Sequence, residues 1–193
     1  SHLDEIALLL HWRSFVIVPH ETWNTPDDGA VLTDLQIMQT GVFNYGFVAM
    51  SDAHPQYLAH HLEWWAAKLR YQQFEDMVHG MFYDQNWANF IPSFYPRHAY
   101  EIILDPRYDI AYWNLHYRGQ HVSYDATTGT ALYAGLPLVF YHFSGVSTAT
   151  SITGRHAGDS TVTRENAAVS PYQTRYVMAD FPQLNSLFDA YRG

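Results

Sequence analysis

Three polar clusters have the residue types that chemistry needs, and each sits at the end of an apolar run or in the turn after one. The first is Asn44 with Gly46, inside Gly41-Val42-Phe43-Asn44-Tyr45-Gly46-Phe47. The second is Asp84-Gln85, and the third is His142 with Ser144-Gly145. Strand ends are where α/β sheets place ligand sites. A carboxylate beside a carboxamide suits hydroxyl recognition, because one only accepts while the other donates and accepts. Each cluster also has a structural reading: an Asn in a strand can simply be a satisfied polar residue, and a lone His can be a packing residue.

Other chemistries lack their patterns. His60 and His61 lie on an expected helix near Glu63, but no His-Glu-x-x-His occurs, so a zinc hydrolase has no ligand spacing. These histidines are expected to face solvent or line the helix flank. Ser144 is followed by Gly145, yet Gly-x-Ser-x-Gly is absent around it. There are no cysteines, which excludes disulfides, thiolate metal sites and Cys nucleophiles.

The elements that must position these clusters follow from periodicity. Residues 3–12 place apolar side chains on one helical face. Ser14 to Pro19 is a short apolar, β-branched run and reads as a buried strand. Residues 31–40 read as a short helix, and Gly41 to Met50 as a second buried strand. Gly46 within it suggests close approach of a ligand or another backbone. The longest predicted helix opens at Ser51-Asp52-Ala53-His54-Pro55 and runs to His79, with Gly80 as its stop. Met81 to Trp87 reads as a turn leading into a short helical segment.

Ile102–Leu104 and Asp109–Trp113 read as short strands, Tyr117 to Tyr133 as a hairpin turning at Asp125–Gly129, and Leu136 to Phe143 as a further strand. Residues 144–170, rich in Ser, Thr, Gly and Ala, read as a long loop, with 146–170 expected to be mobile. Residues 183–191 read as a closing helix. Mixed helices and strands without repeats or a linker point to the α/β class and one domain over 1–193.

Composition bounds the partners. The chain has 193 residues, 48% of them hydrophobic and 15% charged, which suits a globular domain. A net charge of -9 with only 10 Lys and Arg in no run argues against nucleic acid. No stretch reaches the roughly 18 apolar residues of a membrane span. No signal peptide is visible at the N-terminus, and a disulfide-free chain fits the cytoplasm. Aromatics reach 17%, which suits a packed core and equally suits a surface that stacks on the flat faces of sugars.

Taken in order, Phe43-Asn44-Tyr45-Gly46-Phe47, Asp84-Gln85-Asn86-Trp87 and His142-Phe143-Ser144-Gly145 resemble signatures of GT-A-fold glycosyltransferases. The bacterial enzymes of polysaccharide and cell-surface glycan synthesis, distantly similar to the lipopolysaccharide galactosyltransferase and glycogenin group, are the nearest in pattern. Glu63-Trp64-Trp65-Ala66-Ala67-Lys68-Leu69 and Tyr108 to His116 also match that pattern, so the resemblance covers residues 3–145.

The resemblance implies roles. Asn44 and Gly46 would lie near the donor sugar or its phosphates. Asp84 would accept hydrogen bonds from donor-sugar hydroxyls, and Gln85 would sit by the anomeric carbon. Asn114 and His116 would line the sugar or acceptor side. Ser144 and Gly145 would approach the diphosphate, and His142 would ligate a divalent metal, Mn²⁺ or Mg²⁺. The partners implied are a nucleotide-sugar donor and a glycan acceptor.

The sequence departs from that family in one respect. No Asp-x-Asp, which binds metal and nucleotide there, is present, and Ser1 to Ile6 resembles the segment just after it. The expectation is a sugar-facing, C-terminal part of a catalytic domain lacking its nucleotide half, with weak or no nucleotide-sugar binding of its own and self-association through the uncovered surface. No Lys follows Gly145 at the spacing of distant relatives. A non-catalytic carbohydrate-binding or assembly domain derived from the same fold is the alternative.

Overall fold

The computed structural model describes residues 3–146 and 166–192, and these form two compact units of mixed α/β structure. The first comprises residues 1–22 and 34–105, the second residues 23–33 and 106–193.

In the first unit, α1 (Asp4–Leu10) leads into β1 (Phe15–Pro19), whose five residues are all buried. The short helix α2 (Asp34–Thr40) precedes β2 (Phe43–Met50). Strand β1 is central: β2 pairs with it antiparallel, and β5 (Tyr100–Ile102) pairs with it parallel on the other side. A strand flanked on both edges needs an uninterrupted apolar run, which Phe-Val-Ile-Val supplies. The core joins Phe15, Ile17, Phe43, Ala88, Ile91, Tyr95, Ala99 and Tyr100.

The β1–β2 ladder is irregular at the point that matters for function. Ile17 faces Val48, yet its neighbour Val18 faces Asn44. Tyr45, Gly46 and Phe47 therefore loop out of register with β1, as in an enlarged bulge. Asn44 Oδ1 accepts from Gly46 N–H at 2.7 Å and closes the bulge from inside.

Helix α3 (Pro55–Gln72) starts with proline in its first turn. It ends seven residues short of the predicted His79. After Gln73 the chain pairs β3 (Glu75–Asp76) with β4 (Met81–Phe82), and Tyr83 N–H reaches the Phe74 carbonyl at 3.0 Å. This hairpin competes with helix continuation and wins. Gly80 still ends a turn in the left-handed region, φ +74°, but of the 3₁₀ segment Met77–His79. A 3₁₀ segment, Gln85–Phe90, then runs into α4 (Ile91–Phe94).

In the second unit, 3₁₀ turns at Tyr112–Asn114 and Gly119–His121 flank α5 (Leu115–Arg118). The predicted hairpin then forms from Val122 onward: β6 (Val122–Asp125), β7 (Thr130–Tyr133) and β8 (Leu136–Pro137) make an antiparallel sheet. Its first turn falls where expected. Asp125 accepts from Thr127 N–H at 2.9 Å and from the Thr128 hydroxyl at 2.8 Å.

The apolar run from Leu136 to Phe143 is not one strand. It changes partner along its length: Leu138 bonds to Ala131, Val139 to Arg107, and Tyr141 bridges Ile110. Asp109–Trp113 likewise gives one bridge and a 3₁₀ turn. The closing helix α6 (Asn185–Arg192) buries Leu187 and Phe188 into a core with Ile110, Leu115, Val122 and Phe181. The segment 23–33 is tied to this unit by Arg175, which pairs with Asp28 at 2.7 Å. Of the loop expected over 146–170, residues 147–165 lie outside the described residues.

Candidate functional site

The predicted residues fall into two groups. Asn44, Gly46, Asp84 and Gln85 belong to the first unit; Asn114, His116, His142, Ser144 and Gly145 belong to the second.

In the first unit the bulge of β2 and the 3₁₀ segment after Asp84 are clamped side by side. Gln85 Nε2 donates to the Thr40 carbonyl at 2.8 Å, and Asn86 Nδ2 to that of Gln39 at 2.9 Å. Asn89 Oδ1 accepts from Val42 N–H at 3.0 Å. Gly41 permits the approach: it has φ +117°, and a Cβ there would meet Gln85 Cγ at 3.0 Å. Asn44 is buried and spends an oxygen on the bulge. Asp84 is half-buried at the mouth of the 3₁₀ segment, and its carboxylate does not cap that segment.

Around this clamp stands an aromatic wall. Tyr45, in the bulge and packed against the core, meets Trp65 edge-on at 5.2 Å. Trp64 meets Trp87, Phe90 and Phe94 at 5.7, 5.6 and 4.9 Å. Lys68 Nζ lies 5.5 Å over the Trp87 ring. Phe90 and Phe94 remain exposed at the edge of the cluster. Burial and the negative charge of Asp84 hold the Tyr45 hydroxyl well above the usual phenol range.

His61 is the residue that sequence reading misplaced. It is fully buried, not on the helix flank, and packs edge-on against Phe15 at 4.9 Å. Its Nε2 lies 3.1 Å from Tyr45 Oη, while its Nδ1, Trp65 Nε1 and Trp87 Nε1 are buried without a hydrogen-bond partner among the described residues. Burial first, and the charge of His60 second, push His61 down to about 4, so it is neutral at pH 7. Its neighbour His60 is exposed and bonds Tyr95 Oη at 2.9 Å. The signal for His61 lay in spacing: it shares a helical face with Tyr57, Leu58 and Trp65.

In the second unit Asn114 and His142 converge on Asp109. Asn114 Nδ2 donates to the Asp109 carbonyl at 2.8 Å, and its Oδ1 accepts from Ala111 N–H at 3.0 Å. Its carboxamide thus holds its own loop, with Asp109 at φ +56°. His142 Nδ1 lies 3.4 Å from the buried Asp109 carboxylate, and Trp113 meets its ring edge-on at 5.0 Å.

His116 Nε2 bonds the Asn24 carbonyl at 3.0 Å. Ser144 gives its carbonyl to the Ser170 hydroxyl at 3.0 Å. Gly145, φ +73°, is packed by Pro171 and Tyr172, whose ring carbon would lie 2.6 Å from an added Cβ. This side of Gly145 faces protein.

Among the described residues no group of three or more His, Asp or Glu side chains is placed to hold a metal. His142 and Asp109 offer two donors, and a hard divalent cation takes about six oxygen ligands. The described residues alone therefore do not fit such an ion. No helix among them is long and apolar enough to cross a membrane.

Comparison with known proteins gives one limited likeness. The chain is 30% identical over 105 residues to the uncharacterized protein YfnF of Bacillus subtilis (strain 168). That stretch is 54% of this chain, and the chain spans about a third of the relative's length, 32%. No family model matches the chain, and no solved structure matches it.

Proposed function

We propose that this chain is the sugar-facing part of a nucleotide-sugar-dependent glycosyltransferase with a GT-A-like arrangement, acting on a glycan acceptor in the cytoplasm. The observation that carries the reading is the setting of Asp84. A half-buried carboxylate, uncommitted to the segment it precedes, opens the 3₁₀ segment whose Trp87 packs on Trp64, and its charge acts on Tyr45. Sugars offer apolar ring faces and hydroxyl edges; aromatic faces take the first and a carboxylate takes the second.

In this reading Asp84 accepts hydrogen bonds from donor-sugar hydroxyls. Gln85, whose Nε2 is held by Thr40, presents its carbonyl oxygen towards the anomeric carbon. Transfer breaks the bond from that carbon to a diphosphate oxygen and forms one to an acceptor hydroxyl oxygen, whose proton passes to the departing diphosphate. Positive charge grows on the sugar in between, and a fixed carbonyl dipole stabilises it. Asn44 and Gly46, in the same unit, keep the role near the donor sugar that the resemblance implies.

The test is a titration of intrinsic tryptophan emission with methyl glycosides of glucose, galactose, mannose and N-acetylglucosamine. The reading expects at least one to perturb the emission, and Asp84→Ala to weaken that sugar at least tenfold with unchanged circular dichroism. Equal affinity in the variant would contradict it and favour the alternative of a non-catalytic carbohydrate-binding domain.

A further inference from the structure

The sheet of the first unit has two unlike edges, β5 and β2. β5 is three residues long and carries Glu101, which is clamped by Arg97 at 2.7 Å and by Arg13 at 3.3 Å. Shortness and charge are two ways in which an edge is kept from pairing. β2 has eight residues, and Phe43 to Met50 contains neither a charge nor a proline. The bulge at Tyr45–Phe47 interrupts its ladder and leaves Val48-Ala49-Met50 as regular strand.

The ladder decides which backbone groups face the open edge. In an antiparallel pair a residue turns its N–H and C=O to the same side, and successive residues alternate. Ser51 N–H reaches the Ser14 carbonyl at 3.1 Å, in the register that sets Val16 opposite Ala49. Ser51 and Ala49 therefore face β1, and Val48 and Met50 face away from it. The other side of β1 agrees: Ile17, opposite Val48, gives its carbonyl to Ile103 N–H at 2.9 Å, beside β5. Among the described residues the N–H and C=O of Val48 and Met50 enter no hydrogen bond.

We propose that this edge is the docking surface for a second copy of the chain, joined strand to strand about a two-fold axis at Ala49. Antiparallel pairing about that axis sets Val48 opposite the second copy's Met50, and Met50 opposite its Val48. Each is a hydrogen-bonded pair, which exchanges both N–H···O bonds. The two Ala49 residues form the non-hydrogen-bonded pair, where the strands come closest, at about 4.5 Å between Cα atoms. The smallest side chain of Val48-Ala49-Met50 thus stands where room is least. Val48 and Met50 pack on the core of their own unit, so the axis brings the apolar sides of both copies onto one face of a continuous sheet. A second copy supplies this match by itself, uncharged on both sides and with Ala on Ala at the axis. A two-fold contact uses the same residues twice and closes on itself, so association stops at the dimer. This proposal does not rest on the sugar-binding reading.

Two measurements on the whole chain test it. The first is amide hydrogen exchange followed by NMR. In dilute protein the Val48 and Met50 N–H groups should exchange fast, while that of Ala49, which faces Val16, is protected. Raising the concentration should slow Val48 and Met50 selectively. Protection of both in the most dilute sample shows an edge already covered within one copy and overturns the proposal.

The second is sedimentation velocity, which should show a monomer–dimer equilibrium that moves to dimer with concentration. Ala49→Glu and Ala49→Lys each set like charges opposite one another at the axis. Each should associate about tenfold more weakly than the wild type, with unchanged circular dichroism. An equal mixture of the two variants should dimerise again. A wild type that stays monomeric at every concentration, open-ended association, variants that associate like the wild type, or a mixture that stays monomeric overturns the proposal.

Discussion

Gln85 Nε2 donates to the Thr40 carbonyl at 2.8 Å, and with Asn86 Nδ2 on the Gln39 carbonyl at 2.9 Å it joins the end of α2 to the 3₁₀ segment that follows Asp84. The lone Asp84 is thereby placed by its neighbour. The intervening Gly41 holds φ +117° and lies against Gln85, so both its backbone and its lack of a side chain are in use. Gly41→Ala should cost about 2 kcal/mol, from left-handed strain plus crowding at a 3.0 Å contact. Chemical denaturation checks this; a change under about 0.5 kcal/mol, the ordinary range of a neutral surface substitution, would contradict the clamp.

A second prediction concerns Asn114. Both ends of its buried carboxamide hold backbone groups of its own loop, at 2.8 and 3.0 Å. Asn114→Ala strands a buried carbonyl and a buried N–H and should cost about 2–4 kcal/mol. The expected observation is a lower melting temperature together with a loosened His142, whose carboxylate neighbour Asp109 sits in that loop. Unchanged melting would show the loop to be held by other means.

Gly119 offers a sharper steric test in the second unit. An added Cβ would lie 2.5 Å from Phe181 Cε1 and 2.9 Å from Cδ1, and Phe181 is part of the core. Gly119→Ala should destabilise by about 1–3 kcal/mol, the usual cost of overpacking. The double variant with Phe181→Leu should recover part of that loss. Strictly additive effects in the double-mutant cycle would contradict direct contact.

His61 predicts a pH dependence of stability. Its folded value is pushed down to about 4 against an ordinary 6.5. The unfolded chain therefore takes up a proton first as pH falls. The contribution of neutral His61 is fully present above about pH 6.5 and is lost between 6.5 and 4, with a limiting slope of about 1.4 kcal/mol per pH unit. The groups facing it are His60 on its own helix, Tyr45 on β2 and Tyr95 after α4, with Asp84 acting on Tyr45. Denaturation midpoints of wild type and His61→Gln across that window should converge as pH falls. Parallel curves would contradict a buried neutral ring.

What the sequence revealed follows from how local the cause was. The β-branched run of β1, the proline at the start of α3 and the Asp125–Gly129 turn each act within a few residues, and each appears where its pattern predicts. The end of α3 was not legible, because it is set by Met81 and Phe82 pairing back onto Glu75 and Asp76. The run from Leu136 to Phe143 read as one strand for the same reason: its apolar pattern does not reveal that Ala131, Arg107 and Ile110 take turns as partners.

The site shows the same division. Asp84 and Gln85 were visible as a polar pair after an apolar run. Tyr45 does not stand out from its motif in the sequence, because the bulge that sets it against His61 and Trp65 exists only in the register with β1. In the sequence His61 is one of two adjacent helical histidines, and the packing of Phe15, Tyr45, Trp65 and Tyr95 separates the buried ring from the exposed one.

The most direct measurement is the affinity of wild type and Asp84→Asn for the same methyl glycosides, followed through tryptophan emission. Asn keeps the shape of the side chain and removes its charge, so the fold is expected to be unchanged. The account predicts that the wild type binds one of these sugars and that Asp84→Asn binds it about tenfold more weakly, as for loss of a charged hydrogen bond. Equal binding by the two proteins, or no binding by the wild type, would contradict it.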